Sequence, residues 1–132
     1  MPQYKAPLRD IRFVMNELLE SEALYKRLPG YEEATQELMD AIVEEGAKFA
    51  ENVLSPLNEP GDEEGCSWKD GVVTTPKGFP EAYQQFVANG WPALSADTAY
   101  GGQGMPDLLG IVANELAGTA NWSWLMYPGL SH

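Results

Sequence analysis

The residue types that usually carry catalysis are sparse in this sequence. It has one cysteine, Cys66, and one histidine, His132, which is the last residue. Nucleophilic catalysis needs a reactive side chain beside a base, and the sequence indicates no such pair. A single cysteine cannot form an internal disulfide, and no second cysteine stands at the spacing of a zinc site. We therefore predict no catalytic residue and no metal site, and we interpret Cys66 as an ordinary thiol.

The glycine-rich segment YGGQG at 100–104, directly before an apolar helical pattern, is the remaining candidate for chemistry. A dinucleotide fingerprint G-x-G-x-x-G would need its third glycine where Asp107 stands, and no strand precedes the turn. The residues favour a sharp turn whose glycines adopt backbone angles that other residues avoid. Phosphate binding by free N–H groups from Met105 to Leu108 is the alternative, although Asp107 would repel an anion there.

Three segments have apolar residues at helical spacing, and we expect these helices to form the scaffold that holds the glycine-rich segment. The first runs from about Asp10 to Glu20, the second from Glu32 to near Pro56, and the third begins at Pro106. The expected buried positions are Ile11, Val14 or Met15, Leu18 and Leu19 in the first, Ala34, Leu38, Ala41, Ile42, Phe49 and Val53 in the second, and Leu109, Val112, Ala113, Leu116 and Ala120 in the third.

The chain between the second and third helices is rich in turn-forming residues. Residues 58–80 predict a loop, with a hairpin around Val72 to Thr75 after the turn pair Asp70-Gly71. A short helix with Ala82, Phe86 and Val87 inside should follow, capped by Gly90. On the third helix, Glu115 lies beside the apolar stripe, so it is either partly buried with a donor or half-exposed in a salt bridge.

The charge pattern excludes several classes of partner. The formal net charge is −12, and 14 of the 20 acidic residues lie between Glu17 and Glu64. That density should repel nucleic acid and anionic membranes. The sequence also has neither an apolar stretch long enough for a membrane span nor a secretory signal, so we predict a cytoplasmic location.

The last segment, NWSWLMYPGLSH, carries aromatic residues that need a surface to cover them. We expect Trp122, Trp124 and Tyr127 to be exposed in the isolated chain and to drive its self-association.

The order of these motifs resembles the N-terminal helical domain of flavin-dependent acyl-CoA dehydrogenases. The matching pieces are GW at 90–91, YGGQG at 100–104 and ANELAG at 113–118. YKAPLRDIRFVMNELLE at 4–20 and GCSWKDGVVTTPKGFPEAY at 65–83 are similar to the larger subgroup that includes 3-methylmercaptopropionyl-CoA dehydrogenases. Asn114 and Ala99 depart from the pattern, because an acidic residue often stands at each of these positions.

This resemblance implies a mainly α fold, a helical bundle with a long irregular loop and one short hairpin. Residues 1–30 would be an N-terminal extension and residues 31–132 the helical domain, with the chain an N-terminal fragment that precedes the FAD-binding β-domain. The whole enzyme would use FAD to desaturate an acyl-CoA thioester and would form a homo-oligomer. The fragment would lack the catalytic base and most of the FAD site, so it should bind no FAD and be inactive.

The resemblance also implies substrate-binding residues at the end of the chain. Positions that line the acyl pocket in the family correspond to Trp124, Leu125, Tyr127 and Pro128, whose bulk would favour a short acyl chain. The alternative role for these side chains is packing against the rest of the enzyme. The alternative for the whole chain is a stand-alone acidic helical module that binds a basic partner and docks its tryptophan-rich end into a groove.

Overall fold

The structure, a computed structural model, describes residues 3–130 and is mainly helical. Two π-helical segments, Phe13–Leu18 and Ala50–Leu54, and two 3-10 turns, Trp91–Ala93 and Thr98–Tyr100, interrupt or join the α-helices. The strands β1 (Ser67–Lys69) and β2 (Val72–Thr74) form one antiparallel hairpin. The α-helices are α1 (Leu8–Arg12), α2 (Ser21–Tyr25), α3 (Gln36–Phe49), α4 (Ser55–Glu64), α5 (Phe79–Ala88), α6 (Asp107–Ala120) and α7 (Trp122–Gly129). The predicted mainly α bundle with one short hairpin is confirmed.

The first predicted helix is present, but its apolar face differs from the expectation. Helix α1 and the π-helical segment after it bury Ile11 and Met15. Met15 is thus the buried member of the predicted pair Val14 or Met15, whereas Leu18 and Leu19 are exposed, so their predicted burial is wrong. The hydrogen-bond register of a π-helix is i→i+5, which rotates later side chains away from the face expected for a regular α-helix.

The long acidic helix is a continuous helical run over 36–64, assembled from α3, the second π-helical segment and α4. Thr35 caps its start, because the Oγ1 atom accepts a hydrogen bond from the Leu38 N–H at 3.2 Å. The predicted end near Pro56 is wrong. Pro56 lies in the first turn of α4, directly after the π-helical change of register, where a missing N–H is tolerated.

The buried face of this run is shifted by one position from the prediction. Ala34 and Phe49 are buried as expected, whereas Leu38 and Ala41 are exposed and Ile42 and Val53 are half-buried. A neighbouring row at spacings of three and four faces the core instead. The members of this row are Met39, Val43, Ala47, Ala50 and Leu54.

The hairpin forms where the sequence places it, with Asp70-Gly71 as its turn. Lys69 pairs with Val72 and Ser67 with Thr74, and both strands are exposed along their length. The predicted loop nevertheless begins too early at residue 58, because α4 continues to Glu64.

The short helix α5 begins at Phe79 and buries Ala82 and Phe86, as predicted. Val87 is exposed, so its predicted burial is wrong. Gly90 follows the helix with φ +80°, the left-handed angle expected of a C-terminal capping glycine.

Helix α6 lies in the centre of the bundle, against α3. Leu109, Val112, Leu116 and Ala120 are buried as predicted, and Ala113 is half-buried. Glu115 is exposed and makes no salt bridge with the described residues, so neither the partly buried nor the salt-bridged carboxylate is found.

The N-terminal segment contacts the long helix through one backbone N–H and one side chain. The Ala6 N–H donates to Glu51 Oε1 at 2.8 Å, and the Arg12 guanidinium contacts Glu44 at 3.2 Å. The division of the chain into an N-terminal extension up to residue 30 and a helical domain from residue 31 stays a prediction.

Among the described residues, no helix has the length and apolar character required to cross a membrane.

Candidate functional site

The glycine-rich segment is a tight turn, as predicted. Gly101 and Gly104 have φ of +83° and +64°, angles that residues with a side chain rarely adopt. Gly102 is required for a different reason. A Cβ at this position would collide with the carbonyl oxygen of Ala96, so the backbone can approach only without a side chain.

The N–H groups of this turn are already paired inside the protein. Met105 donates to the Leu94 carbonyl at 3.0 Å, so its N–H is not free for a phosphate, which counts against the phosphate-binding alternative. The four residues before it donate to other backbone carbonyls at 2.8–3.1 Å; they are Gly101, Gly102, Gln103 and Gly104. The N–H groups of residues 101–105 are therefore unavailable to a phosphate, including the pyrophosphate of FAD.

The four predicted substrate-binding residues all lie on α7, but they do not share one face. Trp124 and Tyr127 are three residues apart, so they lie on the same side of the helix and line one groove. Leu125 is buried and lines a different groove beside α6. Pro128 is half-buried in the last turn of α7.

Trp124 is buried, so its predicted exposure in the isolated chain is wrong. Only 1% of its surface is exposed, and its indole Nε1–H donates to the Phe79 carbonyl at 3.2 Å. Its ring meets Phe86 edge-on with ring centres 5.3 Å apart, and it meets Phe49 at 6.0 Å. Trp124 therefore joins α7 to α3 and α5 within the chain's own core.

Asn121 fixes the direction in which α7 leaves α6. Its side chain is buried, and its Nδ2–H donates to the Leu54 carbonyl at 3.1 Å. Its Oδ1 accepts from the Trp124 N–H and the Ser123 hydroxyl, both at 3.0 Å. One amide thus caps the start of α7 and ties it to the long helix.

The groove beside Trp124 and Tyr127 is apolar and has a volume of about 280 Å³. We call it the aromatic groove. It opens between the end of the hairpin, the first turns of α5 and the inner face of α7. Its lining residues are Thr75, Phe79, Pro80, Tyr83, Trp124 and Tyr127. No carboxylate, amine or imidazole lines it, so this surface can bind an apolar group by contact but supplies no base.

Tyr127 forms the outer wall of the aromatic groove. Its ring meets Phe79 edge-on, with ring centres 6.0 Å apart. Its hydroxyl lies 3.2 Å from Cys66 Sγ, in a hydrogen bond that either atom can donate. This hydrogen bond raises the pKa of Tyr127 above 10.0, because it favours the protonated phenol, and burial acts in the same direction.

The opposite face of α7 is open to solvent. Trp122, Met126 and Leu130 are exposed and, with α6, line a second groove of about 420 Å³ that also includes Asn114 and Glu115. The predicted exposure of Trp122 is confirmed, at 66%, and Tyr127 is 43% exposed. An open apolar face of this kind is typical of a surface that another chain covers.

Sequence reasoning missed the residues that complete the aromatic groove. Phe79 and Tyr83 were available from the helical spacing of α5, since they lie four residues apart. Asn121 precedes an aromatic helix and is a favoured capping residue, so it could also have been found. The contact between Cys66 and Tyr127 spans 61 residues of sequence, and no local pattern indicates it.

Residues 3–130 contain no group of three or more His, Cys, Asp or Glu side chains that could hold a metal ion. His132 lies outside the residues that the structure describes.

Comparison with known proteins gives one clear similarity. No protein-family model matches the chain. The chain is 35% identical over 129 residues to 3-methylmercaptopropionyl-CoA dehydrogenase from Ruegeria pomeroyi (strain ATCC 700808 / DSM 15171 / DSS-3). The match covers 98% of this chain, which spans only 22% of the length of that relative. The resemblance to the acyl-CoA dehydrogenase family is therefore confirmed, because almost the whole chain is similar to part of one of its enzymes.

Proposed function

We propose that this chain is the N-terminal part of a flavin-dependent acyl-CoA dehydrogenase, an enzyme that desaturates an acyl-CoA thioester between its α and β carbons. In that enzyme the chain contributes a wall of the acyl pocket and a packing surface. The observation that carries the proposal is the 35% identity to such an enzyme over 98% of this chain. We propose that the enzyme takes part in fatty acid metabolism and lies in the cytoplasm.

The aromatic groove is the surface we assign to the acyl chain. It has apolar walls and a volume of about 280 Å³, and we propose that it accepts a short apolar tail. Trp124 and Tyr127 line it, whereas Leu125 lines the groove beside α6 and Pro128 lies in the last turn of α7. The relative's name specifies a 3-methylmercaptopropionyl thioester, whose acyl chain is short. We propose a short acyl-CoA as substrate here too.

The remaining chemistry belongs to residues outside this chain. Desaturation needs a base for the α-proton, and the aromatic groove contains none. It also needs a flavin, which accepts the β-hydride when bound, and the N–H groups of the glycine turn are paired and therefore unavailable to its pyrophosphate. We therefore propose that the isolated chain is inactive and binds no FAD.

The test uses the complete enzyme, reached by extending the reading frame beyond His132. We measure kcat/KM for acyl-CoA substrates from propionyl to octanoyl in the wild type and in Tyr127→Ala and Tyr83→Ala. Enlarging the groove should raise kcat/KM for the longer chains relative to the shorter ones by about tenfold, the lower end of what one methylene is worth in an apolar pocket. Tyr100→Ala, at a side chain that is 90% exposed and outside the groove, is the matched control.

Two results would contradict the proposal. A stop codon directly after His132 in the genomic sequence would favour the stand-alone acidic interaction module over the enzyme. A chain-length preference that is the same in all four proteins would leave the enzyme assignment intact but remove the acyl-wall role.

We propose that the outer face of α7 is covered by protein, in the enzyme by its other domains or by another subunit of a homo-oligomer. The exposed side chains of Trp122, Met126 and Leu130 support this, because together they form a continuous apolar surface on one helix. The isolated chain should then self-associate, and its elution volume in size-exclusion chromatography should depend on concentration. A monomer at every concentration would contradict this.

A further inference from the structure

Tyr127, the outer wall of the aromatic groove, forms a hydrogen bond with a residue that does not line the groove. Tyr127 is 43% exposed, so packing alone surrounds only part of its side chain. Phe79 contacts one side of the ring, and the hydroxyl reaches out to Cys66. Cys66 is exposed and does not line the groove, and its side chain meets the groove's lining at Tyr127.

The segment that carries Cys66 is itself anchored. Cys66 lies between the end of α4 and the first residue of β1. The Glu64 carboxylate accepts a hydrogen bond from the Lys77 N–H at 3.0 Å, which joins the two chain segments on either side of the hairpin. This hydrogen bond connects the two ends of the segment that contains the hairpin. It therefore holds Cys66 in place beside Tyr127 of α7.

From this geometry we propose that Cys66 is a positioning residue, which holds the Tyr127 ring across the aromatic groove and so sets the length of apolar chain that the groove accepts. This inference rests on the proposed function of the groove as an acyl pocket. Without the hydrogen bond, rotation of the half-exposed ring toward solvent would open the outer wall. A longer chain would then fit, because the wall no longer limits the length of the groove.

The expected size of the effect follows from the type of bond. A thiol is a weak donor and a weak acceptor, so the contact lies at the low end of neutral hydrogen bonds. The loss of one such bond changes an equilibrium by about two- to tenfold. A change of chain-length preference of this size is measurable, whereas a collapse of the fold is not expected for an exposed residue.

The experiment uses the 132-residue chain and the normal alcohols 1-butanol, 1-hexanol and 1-octanol as probes. Binding is followed by NMR through the indole N–H signal of Trp124, which donates to the Phe79 carbonyl at the edge of the groove and is assigned with Trp124→Phe. The readout is the ratio of the dissociation constants for 1-octanol and 1-butanol. The variants are Cys66→Ala, Cys66→Ser, Tyr127→Phe and the double variant Cys66→Ala/Tyr127→Phe.

We expect Cys66→Ala and Tyr127→Phe to lower the octanol-to-butanol ratio by about two- to tenfold, in favour of the longer alcohol. The double variant should change it no more than either single variant, since each removes the same bond. Cys66→Ser supplies a hydroxyl that can still form a hydrogen bond with Tyr127, so this variant should have the same ratio as the wild type. A merely structural role for Cys66 would produce neither the non-additivity nor the rescue.

Failure of this inference and failure of the acyl pocket give different results. If the alcohols bind but Cys66→Ala leaves the ratio unchanged, the positioning role is wrong and the pocket stands. If the wild type binds no alcohol, the acyl-wall function is contradicted, and the ¹³Cζ signal of Tyr127 decides the positioning role. A shift of that signal in Cys66→Ala supports the role, and an unchanged signal overturns it.

Discussion

The two tryptophans of α7 show how differently the two faces of one helix are used. Trp124 is 1% exposed and contacts Phe49 and Phe86, whereas Trp122, two residues earlier, is 66% exposed. Two residues correspond to about 200° of rotation around a helix, so they lie on nearly opposite sides. The same residue type therefore belongs to the core on the inner face and forms an open apolar surface on the outer face.

This difference separates stability from association. The inner face is complete within the chain, because Trp124 has ring contacts on α3 and α5 and a partner for its indole N–H. The outer face has apolar side chains that the rest of the described chain leaves uncovered. We expect substitutions on the inner face to change the free energy of unfolding, and substitutions on the outer face to change binding between chains.

The largest expected effect comes from the inner face. Trp124→Ala removes a buried ring and leaves a cavity among Phe49, Phe79 and Phe86, so it should lower the free energy of unfolding by about 3–5 kcal/mol. Urea denaturation followed by circular dichroism measures this. The matched control is Trp122→Ala, for which we expect a change within about 0.5 kcal/mol. Equal losses in both variants would contradict the distinction between the faces.

The second largest effect on the free energy of unfolding is expected at Asn121, which joins α7 to the long helix. Asn121→Ala removes the cap of α7 and leaves the Leu54 carbonyl without its side-chain donor. We expect a loss of about 1–3 kcal/mol in the free energy of unfolding. Asn114→Ala, at an exposed position on α6, controls for the residue type and should be close to neutral. Similar values for the two variants would show that Asn121 does not join these helices.

Tyr127 lies between the two faces of α7, and its phenol should contribute to the pH dependence of the free energy of unfolding. The raised pKa means that the folded state keeps the phenolic proton after the unfolded state has lost it. The contribution is therefore complete below pH 10 and is lost as pH rises through the folded-state pKa. Tyr127→Phe should reduce the decline in stability above pH 10 relative to wild type. The control is Tyr100→Phe, since Tyr100 is 90% exposed, and an identical decline in both variants would contradict the expectation.

The smallest effect on stability is expected from the outer face, where association changes instead. Trp122→Ala should weaken self-association of the isolated chain, because it removes the largest side chain of the open apolar surface. Analytical ultracentrifugation over a concentration series measures this, with Trp68→Ala on the exposed hairpin as a control for loss of a surface tryptophan. Equal weakening by both substitutions would show that association is not specific to α7.

Local patterns predicted the features that depend on a few adjacent residues. The Asp70-Gly71 hairpin turn, the left-handed Gly90 and the tight turn with Gly101 and Gly104 all follow from the backbone angles available to those residues. The apolar row of α6 was also correct, because that helix is regular and its spacing repeats without interruption.

The faces of the other helices were predicted less well, for a defined reason. π-helical segments interrupt the first helix and the long helix, and each changes the rotation of the residues around it. Leu18 and Leu19 are therefore exposed. Proline rules failed at Pro56 because the change of register just before it accommodates a residue without an N–H.

The sequence by itself determined the helical class, the turns, the acidic surface and the resemblance to an enzyme family, because these depend on composition, spacing and short motifs. Only the tertiary structure decided that Trp124 is buried while Trp122 is open, and that Cys66 contacts Tyr127 across 61 residues of sequence. Aromatic residues two positions apart look equivalent in a sequence. Which of them is buried depends on which neighbouring helices supply a partner, and that is fixed only when α3, α5 and α7 pack together.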